Sequence, residues 1–521
     1  MPEAILGAHL KSAIRNYALL FFGCLLLHVA GTWSLPLIDR DEPRFAEASR
    51  EMVERGDYVV PHFNNQVRLD KPPLTYWIQT ASYKIFGEND FAARFPSAVA
   101  AALVALSILG WGSRLRPPRQ PSASQAHISG DRVGWWAAII FTLSLQTFLH
   151  AKAAVADMWL VLFMTTAHWS GYELLQEPLG RRPLASARPR STSLRAGLVA
   201  PYQQTRWWWI FYVSLAFGFL AKGPVGWIPL LTVGSTMFFV HETQLARRFK
   251  FARGVLLTLA IVAIWGVPAL IQTHGEFFTI GIGRHVVGRS LATMEGHGAN
   301  SFGMYLLLLP FYFVTIFISF LPWSIKLPWL TKKLWLNQDN IDHYLIAGVA
   351  VIFIIFSLIK TKLPHYTLPA FPLLALLLAQ RLATENSMRF FRNCAAASAL
   401  AYLALALVVP SLVARFFPAY ELFRESRDDL RPTMEFGAVS FTEPSLVWYF
   451  RSRVNGFLMP LNTRRAADFM AQTGPRFVIV PTSLATKLFP NHPENWKLFS
   501  TRGFNIAKGE HVELTLVLKP D

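Results

Sequence analysis

A chain of 521 residues with 53% hydrophobic, 14% aromatic and only 16% charged residues departs from soluble domains, which carry roughly 25% charged residues, and has the composition of a membrane protein. Fifty Lys and Arg against 32 Asp and Glu give a net charge of +18, but no basic stripe or nucleic-acid motif accompanies it, which excludes a nucleic-acid partner. The two cysteines, Cys24 and Cys394, lie in apolar stretches, so neither a disulfide scaffold nor a thiolate metal site is available.

A charge at bilayer mid-depth costs about 2.5 to 3.5 kcal/mol, so uncharged windows bounded by charged residues mark candidate spans. Eleven occur in chain order: 16–38, 95–113, 133–151, 158–172, 207–221, 223–241, 254–275, 296–325, 343–359, 363–380 and 393–414. Most approach the length of about 20 residues that a crossing helix needs. The first has no small-residue cleavage site before Asp39 and reads as a retained anchor. Basic residues accumulate in alternate loops: around Lys11 and Arg15, then in 114–132, 181–206, 247–253, 326–333 and 381–392. The positive-inside rule puts these loops and the N-terminus in the cytoplasm. Topology therefore accounts for the net charge.

The first opposite-side loop, 39–94, balances its basic residues with ten acidic ones, and eleven crossings place residues 416–521 on that outer side too. The expected architecture is a mainly α polytopic helix bundle over 1–415, with interfacial helices in loop 39–94, and a small soluble α/β domain over 416–521. In that tail, Phe477–Val480 and Val512–Leu518 read as strands. Loops 114–132 and 175–206, rich in Pro, Ser and Arg, read as irregular.

The chemistry concentrates on the outer side. Asp39-Arg40-Asp41-Glu42-Pro43-Arg44 directly follows a span, and Pro43 opens a helix with Phe45, Ser49, Met52 and Val53 on one face and Glu47, Arg50, Glu51 and Arg55 on the others. Asp70 and Lys71 precede two prolines and the ring pair Tyr76 and Trp77, which favour the membrane boundary. Lys152, Asp157, Lys222, His285, Arg289, Lys360 and Lys362 fall at outer ends of spans. Each alone could cap a helix or snorkel. Together they describe an outer site of carboxylates and cations suited to a lipid-linked phosphate leaving group, the cations offsetting charge on phosphate oxygens and a carboxylate taking a proton or orienting the attacking group.

Asp41-Glu42-Pro43-Arg44, Asp70-Lys71-Pro72-Pro73, Ala221-Lys222-Gly223-Pro224 and Lys362-Leu363-Pro364-His365-Tyr366-Thr367-Leu368-Pro369, in this order, resemble the aminoarabinose transferase and protein mannosyltransferase superfamily. These are GT-C type integral-membrane glycosyltransferases that use polyprenyl-phosphate sugars on the outer side of the membrane. The likeness covers about residues 15 to 380. It implies that Asp41 is the principal catalytic carboxylate with Arg44 in support, that Asp157 is the second outer-loop acid and that Lys222 is the lysine near it. Lys71, Arg289 and Tyr366 resemble residues holding the carrier phosphate. Asp70 and His285 resemble a pair that can bind a divalent ion, zinc or magnesium, in aminoarabinose transferases, although those enzymes usually carry Glu where this chain has the shorter Asp70. Eleven spans are fewer than those enzymes are usually assigned, and the tail has none of the repeat domains of eukaryotic protein mannosyltransferases.

The implied activity is inverting transfer of an aminoarabinose-like sugar or a hexose from undecaprenyl phosphate. The acceptor would be lipid A or another envelope glycan, lipid or protein at the periplasmic face of a bacterial inner membrane, with a monomer doing the work. An acceptor oxygen attacks the anomeric carbon as polyprenyl phosphate departs from the opposite face. Asp41 acts as general base toward a hydroxyl, or orients an acceptor phosphate. Two other lipid-carrier readings compete. A transporter or flippase predicts ionisable residues at mid-membrane and broken helices, for which the Pro-containing windows 296–325 and 363–380 are candidates; a polysaccharide polymerase or ligase would share the outer site. A mere anchor for the tail would need only one or two spans.

Overall fold

The computed structural model describes residues 2–115, 123–176, 193–240, 248–288, 301–336, 340–383 and 388–520. Helix α1 (Pro2–Val29) leads into α2 (Asp41–Arg55), a hairpin of β1 (His62–Phe63) and β2 (Gln66–Val67), and α3 (Leu74–Phe86). Then come α4 (Asp90–Gly112), α5 (Ala123–Thr142), α6 (Leu145–Ala151), α7 (Asp157–Leu175), α8 (Ser193–Lys222) and α9 (Ile228–Val240). Helices α10 (Phe251–Gln272), α11 (Phe302–Leu307), α12 (Phe311–Ser319), α13 (Leu327–Leu336), α14 (Asn340–Leu358), α15 (Phe371–Ala383) and α16 (Met388–Val413) complete the apolar part.

Among the described residues, five helical runs are long and apolar enough to cross a membrane, and the bent pair α5 and α6, turned by 67°, would make a sixth. This is a multi-pass integral membrane protein. One run, Thr205–Phe238, holds two of the expected windows. Its 3-10 turn Gly223–Trp227 reverses the chain: in a straight helix residues eight apart lie about 12 Å from each other, yet a Cβ on Gly226 would fall 2.3 Å from the Gly218 carbonyl carbon. Contacts of α7 agree, since Thr166 meets Ser214 on α8 while His168 meets Thr232 on α9. Lys222 therefore sits at one end of the bundle, beside Asp157. Window 296–325 is broken, with Pro310 between α11 and α12. Loops expected to be irregular are in part helical, because α5 begins at Ala123 and α8 at Ser193. The residues that follow 115 and 176, where irregularity was also expected, lie outside the described ones.

Close approach of α1 to α16 rests on one glycine: Gly31 takes a φ of +74°, and a Cβ there would collide with the Ala406 carbonyl oxygen. Helices α10 and α16 bury little of their apolar surface and expose Leu256, Ile264, Ile271, Leu400 and Leu412. A patch of that size on the outside of a helix bundle marks a surface meant for lipid.

The C-terminal segment builds α17 (Pro418–Ser426), β3 (Glu435–Val439), α18 (Pro444–Phe450), β4 (Leu458–Leu461), α19 (Thr463–Ala471), β5 (Arg476–Pro481), α20 (Thr482–Leu488), β6 (Lys497–Asn505) and β7 (Glu510–Lys519). The sheet order is β4-β3-β5-β7-β6, with β3 parallel to both β4 and β5 and β7 antiparallel to β5 and β6. Both strands expected in the tail are present as β5 and β7. Phe436, Phe450, Phe477 and Leu516 form one core with Leu37, Ala46 of α2, Tyr83 of α3 and Ala154, just before α7. The sheet thus docks on the segments that hold Asp41 and lead into Asp157.

That docking changes the reading of α2. Its charged face, expected at the membrane interface, is covered: Glu47 and Glu51 are fully buried and Arg50 is 2% exposed. Arg451, just after α18, forms ion pairs with Glu47 and, at 2.7 Å, with Glu54. Arg50 donates to Glu47 at 2.7 Å and to the Trp448 carbonyl at 2.9 Å, with its guanidinium 3.9 Å from the Trp448 ring. Isolated charges would not be buried there; paired and hydrogen-bonded ones are.

Candidate active site

Two cavities meet at one end of the bundle. The larger, about 700 Å³, is walled by apolar side chains of α8, the 3-10 turn Gly223–Trp227, α10 and the 277–281 turn, including Phe219, Trp227, Val262 and Phe277. At its polar end stand Asp70, Lys71, Asp157, Lys222, His365 and Tyr366. These same six residues also line the second cavity, of about 350 Å³, to which Asp41, Arg44, Arg68 and Gln66 contribute. Four widely separated sequence motifs therefore converge on one junction.

Each group is placed by a local feature. Asp41 is the first residue of α2, ahead of the Pro43 expected to open that helix, and Asp157 is the first residue of α7, where carboxylates suit the positive helix end. Lys222 closes α8 and donates to Asp157 Oδ1 at 2.6 Å, with its ammonium 5.6 Å from the Tyr366 ring. Tyr366 and His365 ride on the 3-10 turn Pro364–Ala370. His365 Nε2 lies 3.8 Å from Asp157 Oδ1. Lys71 is held ahead of two prolines and donates to the Asp70 carbonyl at 3.3 Å. Asp41 is exposed and Arg44 half-buried, and neither side chain makes a hydrogen bond or ion pair with a described residue, which leaves both available to a ligand in the second cavity.

Asp70 is committed differently. Arg68 Nε and Nη2 grip both of its oxygens at 2.8 and 3.2 Å. Burial alone would lower the Arg68 pKa, but Asp70 beside it holds the guanidinium above its ordinary range, and burial pushes the Tyr76 hydroxyl up. Arg68 is thus a fixed cation beside a neutral Tyr76. A divalent ion on Asp70 and His285 would have to break that fork, so Asp70 does not fit the metal role that the resemblance implies. The His285 side chain, and all of Arg289, lie outside the described residues.

Two other cations expected on the outer side cap helices instead. Lys362 Nζ donates to the carbonyls of Phe356 and Ser357 at the end of α14, and Lys152 Nζ to those of His28 and Ala30 at the end of α1. Helix C-termini attract cations in this way.

Sequence reading missed Glu42 and Arg94. Glu42 is 4% exposed and accepts four hydrogen bonds: from Arg94 Nε at 2.9 Å and Nη2 at 2.7 Å, from the Ile38 amide at 2.7 Å and from the Ala154 amide at 2.7 Å. Arg94 also donates to the carbonyls of Thr32, Leu35 and Pro36. This node ties the end of α1, the start of α2, α4 and the segment before Asp157 together. An Arg directly before the apolar window 95–113 was its only sequence signal. The hairpin was missed too. Asn64 and Asn65 have φ of 52° and 64°, the left-handed pair that a two-residue turn demands. Asn64 exchanges hydrogen bonds with the Leu458 backbone at 2.9 and 2.8 Å, so strand β4 fixes the hairpin whose Phe63, Gln66 and Val67 wall the second cavity.

Residues 70–185 match the family model described as dolichyl-phosphate-mannose-protein mannosyltransferase. Over 381 residues the chain is 29% identical to the undecaprenyl phosphate-alpha-4-amino-4-deoxy-L-arabinose arabinosyl transferase of Aeromonas salmonicida, covering 72% of this chain and 61% of the relative. The protein of that name from Edwardsiella ictaluri is 28% identical, over 66% of this chain and 56% of its own length. The chain thus spans about three fifths of the curated relatives it matches. In fold it is similar to the crystal structure of ArnT from Cupriavidus metallidurans bound to undecaprenyl phosphate, with a TM-score of 0.73 at 17% identity, over 96% of this chain and 98% of that one. In sequence the chain is thus similar to lipid-carrier glycosyltransferases, and in fold to ArnT, in line with the resemblance that its motifs carry.

Proposed function

We infer that the chain transfers a sugar from a polyprenyl phosphate, undecaprenyl phosphate in a bacterial inner membrane, to an envelope acceptor on the periplasmic side. One observation carries this reading: an apolar cavity of about 700 Å³ ends at Lys71, Asp157, Lys222 and Tyr366, and opens there into a polar cavity holding Asp41 and Arg44. A chain of isoprene units suits the first, and a sugar with its acceptor suits the second. The ionisable residues gather at one end of the bundle rather than at mid-depth, which favours transfer over transport. The opposite end carries Arg114, Arg206, Arg248 and the Arg381–Asp342 pair, as an inner N-terminus and eleven crossings would have it. The α/β segment 416–521 is then a periplasmic domain of a monomer.

In the reaction, a bond forms between an acceptor oxygen and the anomeric carbon, and the bond from that carbon to the phosphate oxygen breaks with inversion. The electron pair leaves on polyprenyl phosphate. Lys71, Tyr366 and Arg289, the last on the family resemblance alone, would hold the departing phosphate, while the Lys222–Asp157 pair fixes a positive charge beside it. A hydroxyl acceptor gives its proton to Asp41; a phosphate acceptor needs only to be oriented, by Arg44 among others.

Purified protein incubated with radiolabelled polyprenyl-phosphate sugars, lipid A, envelope glycans and proteins should label one acceptor. Label in none of them, with the protein folded and the carrier bound, would leave the transfer reading without support. Lys71→Ala is expected to raise the donor KM about 10- to 100-fold, the value of a hydrogen bond to a charged group, and Tyr366→Phe to raise it less; an unchanged donor KM would remove both from the phosphate site. Asn64→Ala frees the hairpin from β4 and should raise the acceptor KM several-fold with the donor KM unchanged. Equal movement of the two constants would show that the hairpin does not wall an acceptor site.

A further inference from the structure

Three side chains from separate segments meet behind the cavity junction. His150 lies near the end of α6, Asp157 opens α7 and His365 sits on the 3-10 turn Pro364–Ala370. One donor atom from each falls within 4.8 Å of the other two. The His365 Nε2 to Asp157 Oδ1 separation is 3.8 Å, and the two imidazole rings lie 4.7 Å apart at 36°. Ligand bonds of about 2.0 to 2.2 Å in a tetrahedral site put neighbouring donors about 3.3 Å apart, so modest side-chain rotation would close the set.

We propose that His150, Asp157 and His365 form a divalent-cation site of the zinc class. Two imidazoles and a carboxylate are the donor set that selects zinc and similar transition metals over magnesium or calcium. The surroundings suit it. Gln146 sits 3.0 Å from His150 Nδ1; with its amide turned, its oxygen accepts from Nδ1–H and leaves Nε2 to ligate, the outer partner that metal-bound histidines usually have. Lys222 takes Asp157 Oδ1 at 2.6 Å, while Oδ2 accepts no hydrogen bond from a described residue. Because Asp157 and His365 line both cavities and His150 lines neither, the fourth position faces the junction. An oxygen of a phosphate entering there completes the shell and offsets the ammonium of Lys222. The site differs from the Asp70 and His285 pair, and it does not depend on the transfer reading.

The test is zinc binding by the full-length protein in detergent, stripped with chelator and titrated with Zn2+ alone and with Zn2+ plus undecaprenyl phosphate. About one zinc per chain is expected, bound more tightly with the phosphate present. His150→Ala and His365→Ala should each weaken binding by more than about 100-fold, above the 10- to 100-fold that loss of an outer partner costs. Asp70→Asn should leave it unchanged. Cobalt substitution should give the visible absorption of a four-coordinate ion in the parent protein and lose it in both histidine variants, whose folding is checked by their unchanged elution and melting without metal. No zinc in either titration, or zinc that survives both histidine variants or leaves with Asp70→Asn, would overturn the proposal.

Discussion

Asp41→Asn is expected to lower turnover steeply while leaving the carrier site intact. Asp41 lines the polar cavity and not the apolar one, so its loss should appear in kcat and leave the donor KM unchanged. With a hydroxyl acceptor, losing the general base costs about 10²- to 10⁴-fold; with a phosphate acceptor there is no proton to take, and the loss is smaller. The size of the defect therefore reports the acceptor class. The substitution should barely affect folding, because the carboxylate is exposed and holds no described partner, and surface changes away from such contacts usually stay within about 0.5 kcal/mol. Single-turnover measurement with one labelled donor and matched hydroxyl and phosphate acceptors makes the distinction. Full activity toward both would remove Asp41 from the reaction.

The positions of the reactive groups were legible because the membrane restricts where charge can stand. Asp41, Lys71, Asp157, Lys222 and Tyr366 lie at the same end of their spans in sequence, and in space the last four line both cavities while Asp41 lines the polar one. What the sequence could not show is which of several equally charged neighbours faces the cavity. Lys362 and Lys222 look alike beside their spans, but one is drawn to the carbonyls ending α14 and the other to Asp157. Asp70 next to Lys71 reads as a ligand until Arg68, two residues earlier, turns out to grip it. The same limit applies to α2. Its amphipathic spacing is real, but spacing does not reveal that helix α18, nearly 400 residues later, covers the charged face, with Arg50 reaching the Trp448 carbonyl. The His150, Asp157 and His365 grouping was equally hidden, since it joins residues on either side of a 200-residue interval.

Arg94→Ala is expected to cause the largest loss of stability of any single change at the site. Breaking a buried, hydrogen-bonded ion pair by deleting one partner costs about 3 to 5 kcal/mol, chiefly because the other charge stays buried and alone. Here Glu42 would keep only the Ile38 and Ala154 amides, and the Thr32, Leu35 and Pro36 carbonyls would lose their donor. Glu42→Gln should be milder, since an amide can retain part of the network but presents one oxygen where two accept. Replacing both residues by apolar ones should recover the part of the loss due to the orphaned charge and not the part due to the unpaired backbone, so the double variant should fall between Arg94→Ala and the parent. Melting of each variant in detergent, followed by size-exclusion chromatography, measures this order. Because the node joins the segments bearing Asp41 and Asp157, Glu42→Gln should also lower kcat more than it raises either KM. A melting point for Arg94→Ala equal to the parent's would show that this node does not hold the segments together.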